Sequence, residues 1–515
     1  MKKFITTPLY YVNARPHLGH AYTTIVADIV KRHNNQRGQT TVMLTGTDEH
    51  GEKIAKMAAL QNKTPKELAD KVSEDYKSTW QKMDIDFDIF YRTTDPSHVS
   101  AVKNALTLLK EKGQIVFREY EGNYCVGCER FLTDNELTAT GTCPDHQVKP
   151  EIRKEANYFF LMSQYRDRLL EFFEKNPDSI RPEQYRTEIL SFLKQPLTDL
   201  CISRPKERLT WGIELPFDSK FVTYVWVDAL LNYLAATGWP NVSDSSNELW
   251  DSVVHLIGKD IVKTHAIYWT AILMALDVKP FKQLHVNGFL LMGGTKMSKS
   301  LGNVIRPLEV EALYGKETLR FYLAREMSYG QDSTFTLESY VACINAYLAN
   351  GIGNLASRVI TLCLKNFSGK FPKESLTSDD KLLQQKRLEA VNAWNISFEE
   401  LKYQNALKAW SELVTACDLY VNDNKPWALA KDPAQKDRLH VVLGVCLQTL
   451  QTLATLIYPV LPHASLRLLT SLGISVSDLN TPPQLSLASE ERYEFNLQQE
   501  VPKLFARVSL PVESE

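Results

Sequence analysis

Alternating apolar and polar stretches predict strands and helices in turn over the first part of the chain. An extended apolar segment, residues 4–12, precedes a stretch whose apolar residues recur at helical spacing: Leu18, Tyr22, Ile25 and Ile29. A second apolar run covers residues 41–45. The string Thr64-Pro65-Lys66-Glu67 then has the form of a capping box, which predicts the start of another helix. This alternation favours a parallel, doubly wound sheet.

The pattern changes twice further along the chain. From about residue 112, short strand-like pieces (115–120 and 122–124) and a cysteine cluster lead into a helical, basic stretch. Strand patterns resume at residues 221–226, 253–257 and 283–287, and after about residue 338 the sequence is almost wholly helical. We therefore predict an α/β doubly wound (Rossmann-like) domain split by an insertion and followed by an all-α helix bundle. The predicted segments are 1–111, 112–219, 220–337 and 338–515.

Composition is ordinary for a globular protein. The chain has 515 residues, 44% hydrophobic and 23% charged, with a net charge of −2; this length suggests about three domains. No apolar run approaches the ~18 residues of a membrane span, and the N-terminus has no signal-peptide layout. Eight cysteines in such a chain do not form a disulfide scaffold. We expect a cytoplasmic protein without a membrane partner, whose basic surfaces are local.

Two short strings suggest chemistry on ATP: His17-Leu18-Gly19-His20 and Lys296-Met297-Ser298-Lys299-Ser300. The first opens the predicted helix, with Pro16 at its first position, where unpaired N–H groups and the helix dipole favour anions. His17 and His20 can donate hydrogen bonds to triphosphate oxygens, and Gly19 lets a nucleotide approach the backbone. Lys296 and Lys299 suit the charge that develops on a departing pyrophosphate.

Each string alone has a simpler interpretation. The first could be an ordinary helix start, and the second a solvated Lys/Ser-rich surface loop. Their occurrence together, in this order, favours adenylyl transfer.

A third cluster has the spacing of a metal site. Cys125 and Cys128 are followed by Cys143 and His146, and two close pairs separated by a short loop are typical of tetrahedral zinc. Thiolate and imidazole ligands favour Zn²⁺ over Mg²⁺ or Ca²⁺. Four protein ligands leave no open position, so we predict one structural zinc ion per chain. A redox CxxC pair or unrelated buried thiols are the alternatives.

These strings and their surroundings resemble the class I aminoacyl-tRNA synthetases. Residues 8–20, PLYYVNARPHLGH, and residues 45–51, TGTDEHG, resemble methionyl-tRNA synthetases specifically, and the resemblance runs over nearly the whole chain. It implies an ATP-dependent ligase that forms methionyl-adenylate and esterifies methionine tRNA, with ATP and Mg²⁺ as substrate. The residues that match the family's ATP-binding and catalytic positions are His17, Gly19, His20, Lys259, Asp260, Lys296, Met297, Ser298, Lys299 and Ser300.

An aromatic wall predicts the amino-acid pocket. Trp226, Ala229 and Tyr233 fall at helical spacing where a strand gives way to a helix, and Ile261 and His265 are four residues apart. Such a wall suits a thioether, although these aromatics could equally be core and Asp260 could cap a helix. The resemblance assigns the methionine pocket to Leu9, Tyr11, Trp226, Ala229, Leu230, Tyr233, Ile261 and His265. It assigns the α-ammonium contact to Asp48; some relatives have Pro at the position of Leu230.

The helical region carries candidate RNA contacts. Asn354 and Arg358 are four residues apart on a helix predicted to begin near Leu348, and Trp427 follows the end of a helix beside basic residues. Such groups can read a base edge or stack on a base. A helix-capping pair and a core tryptophan are the simpler alternative. The resemblance assigns all three to the CAU anticodon.

The sequence is also compatible with two other functions. A class I synthetase for another aliphatic amino acid normally carries a large editing insertion, and here only about 100 residues separate the sheet halves. A non-catalytic tRNA-binding paralogue would need neither ATP string. We also expect a monomer, because the tail after the bundle is too short for a five-stranded OB barrel.

Overall fold

The computed structural model describes residues 2–127, 130–132, 136–144, 147–241, 244–292, 295–296, 304–476 and 481–511. Its strands are β1 (Lys3–Tyr11), β2 (Thr41–Asp48), β3 (Ile89–Arg92), β4 (Ile115–Cys125), β5 (Arg130–Leu132), β6 (Glu151–Phe160), β7 (Ile180–Arg181), β8 (Leu200–Cys201), β9 (Ser203–Pro205), β10 (Glu214–Leu215), β11 (Asp218–Thr223), β12 (Val254–Gly258), β13 (Gln283–Asn287), β14 (Leu290–Met292), β15 (Thr295–Lys296) and β16 (Ser333–Phe335). Its α-helices are α1 (Leu18–Gln36), α2 (Glu52–Leu60), α3 (Pro65–Lys82), α4 (Pro96–Glu111), α5 (Arg166–Lys175), α6 (Glu183–Leu193), α7 (Val225–Ala235), α8 (Asp244–Asp251), α9 (Thr270–Ala275), α10 (Pro307–Tyr314), α11 (Lys316–Glu326), α12 (Leu337–Cys343), α13 (Asn354–Asn366), α14 (Ser378–Glu399), α15 (Tyr403–Asn424), α16 (Pro426–Leu429), α17 (Lys436–Ile457) and α18 (Pro462–Ser471).

One compact unit comprises Met1–Pro16, Val42–Lys82 and Asp86–Val286. Its central sheet has the strand order β3-β2-β1-β12-β13-β7. The pairs β2–β3, β1–β12 and β13–β7 are parallel. Strands from the beginning of the chain therefore lie beside strands that follow a long insertion, as the sequence predicts, and the doubly wound fold class is confirmed.

The insertion is built around antiparallel pairing. β4 pairs along its length with β6, in a sheet of order β5-β4-β6-β8, and a smaller sheet has the order β10-β11-β9. The two strand pieces predicted at 115–120 and 122–124 form the single strand β4, because β6 continues to pair with it at Gly122.

Close packing at the end of β2 explains one glycine of the TGTDEHG string. Gly46 pairs with Tyr91 of β3, and a Cβ on Gly46 would lie 1.8 Å from the Tyr91 carbonyl oxygen. Only glycine permits this approach. The core of this unit contains strand residues, such as Phe4, Leu44 and Ile257, together with Leu106 of α4.

The other compact unit comprises His17–Thr41, Met83–Ile85 and Asn287–Glu515. It contains α1, the small sheet β15-β14-β16 and the helices from α10 onward. Asp28 of α1 is fully buried and accepts from Arg32 Nε at 2.9 Å and from Arg320 Nη2 at 2.5 Å. Arg320 also donates to the carbonyls of Pro459 and Val460, both at 2.9 Å. Through these hydrogen bonds, the buried charge cluster connects α1 to α11 and to the turn before α18.

The central helix of the bundle is strongly apolar. Within the described residues, Pro433–Ile457 is the one helix that is long and apolar enough to cross a membrane, with a mean hydropathy of 1.5. Its apolar window is 100% buried inside the protein. The core helix of a bundle has the same composition, since every side of it meets other apolar surfaces.

Several predicted boundaries are observed and others are wrong. The strand predicted at 221–226 ends at Thr223, and α7 begins at Val225. The capping box before α3 is confirmed, since Glu67 accepts from the Thr64 N–H at 2.8 Å and Thr64 Oγ1 from the Glu67 N–H at 3.2 Å. α1 begins at Leu18 rather than Pro16. The helix predicted to begin near Leu348 begins at Asn354, as α13. It follows the helical stretch Leu337–Gly353, which is kinked at Gly351, where ψ is −109°. The division into four segments stays a prediction.

Candidate active site

The first ATP string forms the N-cap of α1. His17 is the N-cap residue, and its Nδ1 accepts from the Gly19 N–H at 3.1 Å. The His17 N–H in turn approaches His20 Nδ1 at 3.4 Å, and the two rings stack with their centroids 3.6 Å apart. Because Nδ1 accepts in both rings, the hydrogen of each neutral imidazole is on Nε2. In each of these half-buried rings the donor is therefore Nε2–H, while Nδ1 bonds to a backbone N–H of the helix start.

The second ATP string lies mostly outside the described residues. Lys296 ends β15 and pairs with Leu291 of β14, which pairs in parallel with β16. Met297, Ser298, Lys299 and Ser300 lie outside the described residues. Their proposed role in binding ATP therefore rests on the sequence.

The predicted amino-acid pocket lies in the first unit and is built on α7. Tyr233 of α7 is buried, and its hydroxyl lies 2.9 Å from His265 Nε2. His265 Nδ1 lies 2.9 Å from the Ile261 carbonyl, which can only accept, so Nδ1 carries the hydrogen and Nε2 accepts from Tyr233. The half-buried Trp226 meets the His265 ring edge-to-face, with the centroids 6.4 Å apart. The structure thus brings together Trp226, Tyr233, Ile261 and His265.

Burial keeps this pocket neutral. It lowers the pKa of His265 to about 4, more than the hydrogen bond to Ile261 raises it. Burial, with smaller contributions from Tyr10 and the negative charge of Asp48, raises the pKa of Tyr233 well above its ordinary value. Near neutral pH the pair is an uncharged phenol and an uncharged imidazole. This is an environment suited to a long, uncharged, polarizable side chain.

The other predicted methionine-pocket residues are buried or half-buried in the first unit. Asp48 ends β2 and is buried, with its backbone carbonyl 3.3 Å from the Val12 N–H, and its charge acts on Tyr233. Leu9 and Tyr11 are half-buried at the end of β1, while Ala229 and Leu230 are buried in α7.

The predicted nucleotide-site pair follows β12. Lys259 and Asp260 lie in the 3-10 turn Lys259–Ile261, whose N-cap is Gly258. Asp260 is exposed inside that turn and is not the residue that caps it.

A group of polar residues next to the pocket was not predicted. Asp228 of α7 is fully buried, and its two carboxylate oxygens lie 2.6 Å from His50 Nδ1 and 2.6 Å from His98 Nε2. The Trp211 ring lies beside His50 at a tilt of 55°, with ring centroids 5.2 Å apart, and its Nε1–H donates to the Glu49 carbonyl at 2.5 Å. One signal in the sequence was Asp228 itself, a single acid within the apolar run of α7.

The structure describes two of the four predicted zinc ligands, Cys125 and Cys143. Cys125 ends β4, and it is fully buried in one small cluster with Cys143 and Leu132, against which Leu137 packs. Cys128 and His146 lie outside the described residues. Among the residues that are described, no group of three or more potential metal ligands occurs, and none of the seven described cysteines forms a disulfide.

The predicted anticodon residues lie on the bundle surface. Arg358 of α13 donates to Asp418 Oδ1 at 2.7 Å and to Asn422 Oδ1 at 2.8 Å, and its guanidinium carbon lies 5.9 Å from the centroid of the Trp427 ring. Trp427 is 42% exposed, which excludes the core alternative. Asn354, one helical turn before Arg358, is exposed and helps to line a cavity of about 420 Å³.

The chain is similar to known proteins over most of its length. The profile of the family described as tRNA synthetases class I (M) matches residues 3–149 and 146–360. The chain is 41% identical to a methionine--tRNA ligase of Caldanaerobacter subterraneus subsp. tengcongensis over 93% of this chain and 75% of that protein. It is 40% identical to one of Streptomyces coelicolor over 92% of this chain and 90% of that protein.

A solved structure is similar over the same extent. Mycobacterium tuberculosis methionyl-tRNA synthetase in complex with methionyl-adenylate superimposes with a TM-score of 0.91 at 35% identity, covering 96% of this chain and 98% of that one. The chain therefore belongs to the class I tRNA synthetases, in the family of the methionine--tRNA ligases.

Proposed function

We propose that this chain activates L-methionine with ATP and transfers it to methionine tRNA. The observation that carries the proposal is the 41% identity to a methionine--tRNA ligase over 93% of the chain. A methionine carboxylate oxygen attacks the α-phosphorus, the bond to the β-phosphate oxygen breaks, and pyrophosphate leaves. A hydroxyl of the terminal tRNA ribose then attacks the carbonyl carbon of methionyl-adenylate, and AMP leaves. Positioning and charge stabilisation account for catalysis without a covalent enzyme intermediate.

The phosphates of Mg²⁺-ATP are held by the two strings. The tautomers at the start of α1 support His17 and His20 as Nε2–H donors to phosphate oxygens, with Gly19 leaving room at the backbone. Lys296 and Lys299 neutralise the departing pyrophosphate, within a loop that Met297, Ser298 and Ser300 complete. Lys259 and Asp260 contribute to the nucleotide site.

Methionine is recognised by its ammonium group and its thioether. The buried Asp48 carboxylate is suited to the α-ammonium, and an ion pair shielded from water is stronger than one at the surface. Trp226, Tyr233 and His265 form a polarizable wall for the side chain. Leu9, Tyr11, Ala229, Leu230 and Ile261 complete the pocket.

A structural zinc ion would be held by Cys125, Cys128, Cys143 and His146. The fit is supported by Cys125 and Cys143, two buried sulfurs packed in one cluster of the insertion. A bound ion would cross-link these four residues of the insertion and would take no part in the reaction.

The bundle reads the CAU anticodon through Asn354, Arg358 and Trp427. Support comes from the exposed indole and from Arg358, which Asp418 and Asn422 hold beside it. A base can stack on the indole while the planar guanidinium and the amide read base edges. We further propose that the protein is monomeric and acts in the cytoplasm.

Aminoacylation tests this function. Purified protein, ATP and radiolabelled methionine are incubated with a tRNA bearing the CAU anticodon, and alkali-labile methionyl-tRNA is counted. We expect ester formation that requires both ATP and the CAU sequence, with the same tRNA carrying a changed anticodon as control. Absence of ester with active tRNA would contradict the proposal.

A further inference from the structure

A buried aspartate between two histidines joins three elements of the first unit. Asp228 lies in α7, His50 in the turn after β2, and His98 in α4. Each carboxylate oxygen of Asp228 accepts from one imidazole at 2.6 Å, from His50 Nδ1 and from His98 Nε2. The Asp228 and His98 side chains have no exposed surface, and that of His50 is 9% exposed. These hydrogen bonds are therefore shielded from water, and a missing partner would leave a buried charge without compensation.

The ionisation of this group is settled by its partners. Burial alone would raise the pKa of Asp228, but the charges and hydrogen bonds of His50 and His98 outweigh it and lower that pKa to about 2. At neutral pH Asp228 is thus a carboxylate, which only accepts, and each histidine donates one ring N–H to it. Hydrogen bonds to a charged group are shorter and stronger than neutral ones, so the group is a rigid link.

Both ends of the Asp228–His50 link carry predicted methionine-binding residues. On α7, Asp228 directly precedes Ala229, and Trp226 and Tyr233 lie on the same helix. In the turn, His50 follows Asp48 by two residues. Thus one hydrogen bond connects the segment that carries the ammonium-binding carboxylate to the helix that carries the side-chain pocket.

The turn is anchored independently on its other side. Glu49 is buried and receives two hydrogen bonds from Arg92, at 2.6 Å from Nε and 2.9 Å from Nη2. Its N–H donates to Thr93 Oγ1 at 3.0 Å. These contacts hold the turn to the end of β3. The hydrogen bond between His50 and Asp228 joins the same turn to α7.

We propose that Asp228, acting through His50, is a positioning residue that keeps the Asp48 carboxylate and the α7 pocket at the separation that methionine requires. This inference rests on the proposed function. Asp228 needs no contact with substrate, because it acts on methionine affinity by fixing two binding elements relative to each other. His98 supplies the second hydrogen bond to the carboxylate.

Steady-state pyrophosphate exchange tests the proposal, with methionine and ATP varied separately. The variants are Asp228→Asn, His50→Ala and His50→Asn; an asparagine amide can replace the Nδ1–H of histidine as donor. We expect Asp228→Asn and His50→Ala to raise KM for methionine about tenfold, the effect of losing one charge-assisted hydrogen bond, with KM for ATP within about twofold of wild type. His50→Asn should recover most of the loss, which a merely structural role would not predict.

A matched control removes the same charge elsewhere. Asp380 is a buried aspartate of the bundle that accepts from Arg438 at 2.9 Å and also bonds Tyr420. Asp380→Asn should lower the thermal midpoint without changing KM for methionine. If Asp228→Asn does not fold, the comparison of His50→Ala with His50→Asn still tests the proposal.

The proposal is overturned if folded variants keep the wild-type KM for methionine, if the two KM values rise together, or if His50→Asn behaves like His50→Ala. Wild-type protein without methionine-dependent exchange would instead contradict the proposed function, so the two failures are distinguishable.

Discussion

The Tyr233 hydroxyl donates to Nε2 of His265 across 2.9 Å inside the predicted methionine pocket. The His265 ring is held in turn by the Ile261 carbonyl, which fixes its tautomer. Because burial lowers the pKa of His265 to about 4, the ring stays neutral at the pH of most assays. The pair therefore presents a fixed polar surface without a net charge, which matches a thioether better than a charged or short side chain.

Tyr233→Phe tests this pair. Loss of the hydroxyl leaves a buried imidazole nitrogen without its donor and releases the ring, so we expect KM for methionine to rise about twofold to tenfold, the effect of one neutral hydrogen bond. KM for ATP should stay near the wild-type value. Equal methionine KM values in Tyr233→Phe and wild type would show that the hydroxyl does not shape the pocket.

Lys299→Ala tests the second ATP string. Removing one donor that stabilises transition-state charge commonly slows the step by ~10²–10³-fold, so adenylate formation should slow by that order while methionine affinity barely changes. Lys175→Ala, at an exposed lysine paired with Glu171 in the insertion, is the control and should be neutral. An unchanged exchange rate in Lys299→Ala would remove this residue from catalysis.

Cys143→Ser tests the zinc site. We expect the unmodified chain to contain about one zinc ion and this variant to lose it, with residual exchange activity because no proposed ligand lies in either ATP string. Cys343→Ser, at a buried cysteine of α12, should leave the zinc content unchanged. Metal analysis by mass spectrometry measures both, and far less than one zinc per wild-type chain would refute the site.

Trp427→Ala tests the anticodon assignment. Losing a base stack costs on the order of 1–3 kcal/mol, so aminoacylation should weaken while exchange without tRNA stays near normal. Leu419→Ala, at a 55% exposed residue of α15, serves as the control for loss of apolar surface in the same bundle. If exchange falls as much as aminoacylation, Trp427 supports the fold and not the tRNA.

Light scattering tests the oligomeric state. We expect the chain at micromolar concentration to have the mass of a single 58.7 kDa protomer. A mass near twice that value would show that the protein dimerises and that the monomer prediction is wrong.

Local patterns predicted most elements, and an unusual helix cap and long-range contacts explain where the predictions failed. Apolar spacing indicated α1 and α7, but the preference of proline for the first helical position placed the start of α1 at Pro16 rather than Leu18. The reciprocal capping by the His17 and His20 rings, which sets the observed start, is unusual for a helix N-terminus. The single strand β4 was divided in two because only its pairing with β6 carries it through Gly122. Helical spacing grouped Trp226 with Tyr233. No spacing could join Asp228 to His50 and His98, which are 178 and 130 residues away in sequence.

Exchange of pyrophosphate into ATP without tRNA, measured over a panel of amino acids, shows which amino acid the protein activates. We predict exchange with methionine, and far weaker exchange with leucine, isoleucine and valine. Strong exchange with one of those three instead would contradict the methionine pocket, and no exchange with any amino acid would contradict adenylyl transfer itself.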